Sequence, residues 1–112
     1  MAKLMNITQG DYGIVFNIQL LNDKKEYIHI LDEDDVIAHI QFPDGTCIDI
    51  DPDCLTIIDR LKGLIRIVLS EEYTAEEGYY QVFVALKSDS YKINANSSIP
   101  YYVNAKHYIG KH

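Results

Sequence analysis

The segment Ile14-Val15-Phe16-Asn17-Ile18-Gln19-Leu20 carries a large apolar side chain at every second position, and the polar residues Asn17 and Gln19 separate the last three. Because side chains of a β-strand point alternately to its two faces, this period of two predicts a strand with one face in a core. No stretch of the chain has a helical spacing of comparable quality. The pattern therefore predicts an all-β protein.

The same alternation occurs in residues 36–42, 65–69 and 79–86, and further short strands are predicted near residues 4–8, 46–50, 91–95 and 101–106. The inward positions of the four alternating segments define the predicted core. Its members are Ile14, Phe16, Ile18, Leu20, Val36, Ala38, Ile40, Phe42, Ile65, Ile67, Leu69, Tyr80, Val82, Val84 and Leu86.

Turn residues separate these segments at regular intervals. Pro43-Asp44-Gly45 predicts a tight hairpin turn, because proline presets φ at the first corner and glycine accepts a positive φ. Seven or eight short strands with turns every about 8–12 residues indicate an antiparallel β-sandwich or a small barrel. With 112 residues the chain has the size of one domain, so we expect a single immunoglobulin-like β-sandwich over residues 1–112, with its ordered core at about 4–106.

Composition and charge exclude several classes of partner. The net charge is −7 and the ten Lys and Arg residues are scattered, which argues against binding to nucleic acid or to an anionic membrane. The chain starts without an apolar run of signal-peptide length and has no stretch of membrane-spanning length. We therefore expect the protein to stay in the compartment where it is made.

The sequence contains no complete motif for a catalytic or metal-binding site. Asp49-Ile50-Asp51-Pro52-Asp53 begins like a calcium loop, but Cys54 stands where glycine is needed and Arg60 where a bidentate glutamate is needed. Cys47 and Cys54 form no metal-binding or disulfide pattern and are expected to be free thiols. We assign no catalytic, cofactor-binding or metal-binding residue, and we expect a protein that is not an enzyme.

The order of short motifs along the chain resembles a known family. The segment Asn6–Phe16, which contains Gly10-Asp11-Tyr12-Gly13, resembles the "GDxGxxF" opening of the immunoglobulin-like domain of phage baseplate upper proteins. The segments that follow are similar to later landmarks of that domain. They are Phe42-Pro43-Asp44-Gly45, Gly63 before residues 65–69, the step from Tyr73 to Gly78-Tyr79-Tyr80, and a closing strand at Tyr101–Val103.

The resemblance implies a structural role. It implies an immunoglobulin-like module of a phage or prophage tail baseplate, made in the bacterial cytoplasm, which anchors receptor-binding proteins. The implied partners are other tail and baseplate proteins, and a homo-oligomer within the assembly is compatible with them. Gly10 and Gly13 would serve the backbone, and the Tyr80 hydroxyl would bond back to the corner before its strand. The sequence departs from the family at two places. The family often has a small polar residue where this chain has Tyr12, and it often has a different turn where this chain has residues 31–35.

Two other functions remain open at this point, because sandwiches serve many purposes. The chain has nine Tyr residues, which could stack on sugar rings in a carbohydrate-binding module. An adhesin or enzyme accessory domain is the third alternative, although no signal peptide supports secretion. For a protein interface we single out Tyr101, Tyr102 and Tyr108 in the tyrosine-rich C-terminal region. The competing interpretation is that these rings cover the edge of the sandwich.

Overall fold

The computed structural model describes residues 5–105, without the side chains of Asn96 and Ser97. Two short 3-10 turns lie at Pro52–Cys54 and Glu71–Thr74, and no helix in the described range is long and apolar enough to cross a membrane. All other regular structure is strand. The strands are β1 (Met5–Thr8), β2 (Ile14–Gln19), β3 (Asp35–Gln41), β4 (Cys47–Asp49), β5 (Leu55–Asp59), β6 (Leu64–Leu69), β7 (Gly78–Lys87) and β8 (Lys92–Asn104).

The strands form two sheets, one in the order β1-β8-β7-β3-β4 and the other in the order β2-β6-β5. Every pairing is antiparallel except that of β1 with β8, which is parallel. Immunoglobulin-type sandwiches place strands B, E and D in one sheet and strands G, F and C, with C′ in variable-type domains, in the other. Here β2, β6 and β5 take the first three places, and β8, β7, β3 and β4 take the others. The predicted immunoglobulin-like sandwich is confirmed.

The core lies between the two sheets and contains the predicted residues. Ile14, Val36 and Phe42 are partly buried and pack against it, and the other predicted core residues are buried. The period of two was therefore a reliable guide to the inward face. The core also holds residues that the alternation did not select, namely Ile7, Ile30, Ile50, Tyr73, Tyr101 and Val103.

Two strand assignments from the sequence differ from the structure. Residues 91–95 and 101–106 were expected to be separate strands with a break at 96–100, but β8 is one strand from Lys92 to Asn104. Its pairing with β7 shifts register between Asn94 and Ser98. Proline removes one N–H donor, and a strand at a sheet edge tolerates that loss. Among the described residues, β1 pairs with β8 from Tyr101 onward. In addition, β5 (Leu55–Asp59) was not predicted, because the adjacent Ile57 and Ile58 break the alternation of apolar and polar residues.

The corner before β7 is held by a tyrosine hydroxyl. The Tyr80 hydroxyl donates to the Glu76 carbonyl at 2.9 Å and accepts from the Glu76 backbone N–H at 3.1 Å. This is the tyrosine corner of immunoglobulin-type sandwiches, and it confirms the role expected for Tyr80. Val82 occupies the place two residues later where antibody domains have a disulfide cysteine, and Val82 is fully buried. Apolar packing therefore takes the place of the inter-sheet disulfide.

The predicted hairpin turn is also present. The Gly45 backbone N–H donates to the Phe42 carbonyl at 2.9 Å, and Gly45 has a φ of +92°. The turn is tied to the tyrosine corner by close packing, because a Cβ atom added to Gly78 would lie 2.6 Å from Pro43 Cβ. Only a residue without a side chain fits at Gly78. The motifs at 42–45 and 78–80 are thus adjacent in space.

Candidate binding surface

The predicted interface tyrosines occupy different environments. Tyr101 has no exposed surface: its ring lies in the core, and its hydroxyl donates to the Tyr73 carbonyl at 2.7 Å. This corrects the expectation that Tyr101 contributes to an interface, because a ring that satisfies its hydrogen bond inside the core is unavailable to a partner. Tyr102 is half-buried and lies on the opposite side of β8. Tyr108 lies outside the described residues.

Tyr102 belongs to the outer face of the five-stranded sheet, where strand register gives it an aromatic neighbour. Tyr102 is the direct cross-strand partner of Tyr79 on β7. Tyr79 is 49% exposed, and Phe83, on the same face of β7, is 38% exposed. Side chains opposite one another on neighbouring strands are near neighbours, so Tyr79 and Tyr102 lie side by side on this face. Phe83 lies on the same face of β7, two positions beyond Gln81.

The middle of this outer face is free of full charges although the protein is acidic. Gln81 lies between Tyr79 and Phe83 along β7, and its cross-strand partners are Gln41 on one side and Pro100 on the other. The Gln81 side chain donates to the Ser98 hydroxyl at 3.2 Å. We call this set the aromatic face. Its residues are Tyr79, Gln81, Phe83, Ser98, Pro100, Tyr102 and Gln41.

One titratable pair borders the aromatic face. His39, the cross-strand partner of Phe83, lies with Nδ1 2.7 Å from Asp49 Oδ1 on β4. The exposed Cys47 lies on the same strand as Asp49, and it lines a recess of about 370 Å³ together with His39 and Phe83. The contact joins the His39 side chain on β3 to the Asp49 side chain on β4. The side chains here can offer hydrogen bonds and an aromatic platform to a bound molecule.

Over residues 5–105 no three His, Cys, Asp or Glu side chains come together as a metal site requires. Both cysteines are free thiols; Cys47 is exposed and Cys54 is half-buried. The carboxylate of Asp34, buried at the other end of the sandwich, accepts hydrogen bonds from the Tyr91 hydroxyl and the Leu31 backbone N–H. Asp34 therefore closes a loop and does not point into a cleft.

Sequence reasoning found part of this surface. Alternation placed Tyr79 and Phe83 opposite the inward set of β7, so their outward direction was available from the sequence. Their grouping with Tyr102 depends on the register between β7 and β8, which joins residues more than twenty positions apart and leaves no local signal.

No protein-family model matches this chain, and no curated protein is significantly similar to it. The resemblance to phage baseplate upper proteins rests on the order of short motifs and stays a prediction.

Proposed function

We propose that the protein is a structural module of a phage or prophage tail baseplate that binds other tail proteins through the aromatic face and catalyses no reaction. The observation that carries the proposal is the Tyr79–Tyr102 pair with Phe83, beside the uncharged side chains of Gln81, Gln41 and Ser98. Protein interfaces are enriched in aromatic residues and depleted of charge at their centres, as this face is. The succession of motifs from Gly10 to Tyr80 supports the choice of baseplate proteins as partners.

A few aromatic residues on the aromatic face should supply most of the binding free energy. Tyrosine supplies a large contact area at a small cost in conformational entropy, and binding energy concentrates in such residues. Strand pairing holds this surface in place, because β7 pairs with β8 on one side and, from Gln81 to Lys87, with β3 on the other. A rigid surface loses little entropy on binding. The acidic residues outside the face would set the encounter rate and the choice of a partner with a basic rim.

A carbohydrate-binding role is the second candidate, and the same aromatic pair favours it. Rings that stand side by side on a sheet can stack on consecutive sugar units, and Gln81 and Gln41 offer amide hydrogen bonds beside them. This alternative uses the same residues but a different ligand. Substitutions on the aromatic face therefore cannot distinguish tail-protein binding from carbohydrate binding, whereas the identity of the bound molecule can.

The experiment is co-expression of the chain with tail proteins encoded beside its gene, followed by size-exclusion chromatography, with a glycan array in parallel. We expect a stable complex that is lost in Tyr79→Ser/Phe83→Ser. Ile58→Ser is the matched control, because Ile58 is 43% exposed on the three-stranded sheet. A complex equally weakened by the control would contradict the assignment to the aromatic face. Glycan binding without a tail-protein complex would establish the carbohydrate function in its place.

A further inference from the structure

A second surface lies at the opposite sheet, where the loop after β1 meets the end of β6. A shallow, open cleft of about 520 Å³ is lined by residues of the loop, of the end of β6 with the two residues that follow it, and of the first 3-10 turn. The lining residues are Tyr12, Gly13, Asp53, Cys54, Val68, Leu69, Ser70 and Glu71.

The floor of the cleft is apolar and accessible. Val68 is 36% exposed, and its cross-strand partner Val15 is 47% exposed beside it. Tyr12, at 75% exposure, stands at the edge of this surface. Cys54 is half-buried at one side of the cleft. Burial, and after it the carboxylate of Asp51, raises the pKa of the Cys54 thiol, so the thiol stays uncharged at neutral pH. The cleft thus offers an apolar surface that residues 5–105 leave uncovered.

Both walls of the cleft are held in place by hydrogen bonds. On one side the Gly13 backbone N–H donates to the Leu69 carbonyl at 2.8 Å, and the Thr74 hydroxyl donates to the Asp11 carbonyl at 2.6 Å. On the other side the Asp51 side chain accepts from the Asp53 backbone N–H at 2.9 Å. Preformed walls reduce the entropy that a bound segment would cost, so the cleft is suited to binding.

The charges at the rim define the chemistry of the occupant. Asp53 and Glu71 line the cleft, and no basic side chain is among its lining residues. The nearest basic residue along β6, Arg66, donates from Nε to Asn17 Oδ1 at 3.2 Å. A second copy of this acidic chain would bring further negative charge to the rim, which disfavours it as the occupant.

We propose that this cleft binds a basic peptide segment of a partner protein, with an apolar side chain seated on Val68 and Cys54 and flanking Lys or Arg residues paired with Asp53 and Glu71. The site is separate from the aromatic face, because it lies at the other sheet. Binding there does not depend on the function proposed above. Two exposed ion pairs each change an affinity by a factor of about two to five, so charge should matter by about tenfold.

The test is fluorescence anisotropy with three labelled peptides of the sequences Lys-Leu-Phe-Lys, Glu-Leu-Phe-Glu and Lys-Ser-Ser-Lys, each blocked at both ends. We expect the first peptide to bind about tenfold more tightly than either of the others at low salt, and to weaken as salt is added. The double variant Asp53→Lys/Glu71→Lys should reverse the preference between the first two peptides. Val68→Ser should weaken the first peptide without reversing that preference.

Asp32→Lys/Glu33→Lys is the matched control, since it makes the same change of net charge on a loop that does not line the cleft. We expect this control to keep the preference for the Lys-Leu-Phe-Lys peptide. Equal binding of all three peptides, or the same loss in the control as in the cleft variant, would overturn the proposal. Self-association that Val68→Ser abolishes would also overturn it, because a second copy would then be the occupant.

Discussion

The rings of Tyr80 and Tyr101 stack in the core with their centroids 4.8 Å apart and their planes within 7° of parallel. They are direct cross-strand partners on β7 and β8. Phe42 packs against Tyr80 at 5.2 Å and Phe16 packs against Tyr101 at 5.5 Å, both with tilted rings. Because Phe16 belongs to β2, this row of four rings joins the two sheets. Such aromatic contacts add about 0.5–1.5 kcal/mol each beyond the area they bury.

Removal of a buried tyrosine hydroxyl from this row should destabilise the fold, although the aromatic ring remains and keeps its packing contacts. Tyr101→Phe keeps the ring but leaves the Tyr73 carbonyl without its donor, and Tyr80→Phe releases both hydrogen bonds to Glu76. We expect each change to lower the free energy of unfolding by about 1–3 kcal/mol, measured by urea denaturation. Tyr102→Phe is the control and should change it by less than about 0.5 kcal/mol. Equal midpoints for Tyr101→Phe and the control would show that the buried hydrogen bond contributes nothing.

Alkaline pH should unfold the protein through the same tyrosines. Burial raises the pKa of Tyr101 far above its usual range and raises the pKa of Tyr73 and Tyr80 as well. A raised pKa means that the folded state keeps protons that the unfolded state releases. Their contribution to stability is therefore complete below about pH 10, the pKa of an unfolded tyrosine, and is lost as the pH rises above it.

The measurement is the free energy of unfolding between neutral pH and strongly alkaline pH, with tyrosinate absorbance followed in parallel. We expect the loss of stability per pH step to be smaller in Tyr101→Phe than in the parent chain. In Tyr102→Phe we expect the same slope as in the parent. Ionisation of all tyrosines before any loss of folded structure would contradict the prediction.

Two glycines with a positive φ should respond differently to alanine. Gly63 has a φ of +63°, and an added Cβ atom would lie 2.2 Å from the Ile28 carbonyl oxygen. Gly13 has a φ of +76°, but an added Cβ atom would meet no atom within 4 Å. We expect Gly13→Ala to cost about 1–2 kcal/mol for the backbone conformation alone. Gly63→Ala should cost about 2–5 kcal/mol, because the steric clash adds to that strain.

Thermal or urea unfolding of the two variants measures the difference directly. Gly13→Ala serves as the control for backbone strain without a clash. Similar costs for both variants would mean that the segment around Ile28 moves away freely and does not brace the turn at Gly63.

The two thiols should differ in reactivity. Cys47 is exposed, whereas Cys54 is half-buried, and burial together with the carboxylate of Asp51 raises the pKa of the Cys54 thiol. The thiolate is the reactive form, so Cys54 should be alkylated by iodoacetamide about tenfold more slowly than Cys47. Mass spectrometry of Cys47→Ser and Cys54→Ser variants gives the two rates separately. In urea the rates should converge, and a faster reaction at Cys54 in the folded protein would refute the prediction.

The sequence predicted the inward faces of β2, β3, β6 and β7 because each has alternating side chains over at least five residues. It also predicted the turn at Pro43–Gly45, because that turn depends on neighbouring residues, whereas the bonding of the Tyr80 hydroxyl was implied by the resemblance to other sandwiches. It did not predict that β8 continues through Pro100, because the strand is completed by pairing with β7. The parallel pairing of β1 with β8 likewise joins the two ends of the described chain, where no local pattern indicates it.

The aromatic face shows the same division. Outward positions on β7 were available from the alternation, but the adjacency of Tyr79 and Tyr102 follows from the strand register. The cleft at Val68 was not indicated at all, because its walls come from three segments that are distant along the chain. A surface assembled from distant segments leaves no periodic signal in any one of them.

Tyr101 and Tyr102 mark the limit of what the sequence alone determined. They are identical residues next to each other, and the alternation established that they must point to opposite faces of one strand. The sequence did not say which of the two points inward. The tertiary structure decided this by placing β8 beside β7, with Tyr80 and Phe16 against Tyr101. Burial depends on what the opposing sheet supplies, so one ring completes the core and the other remains on the surface.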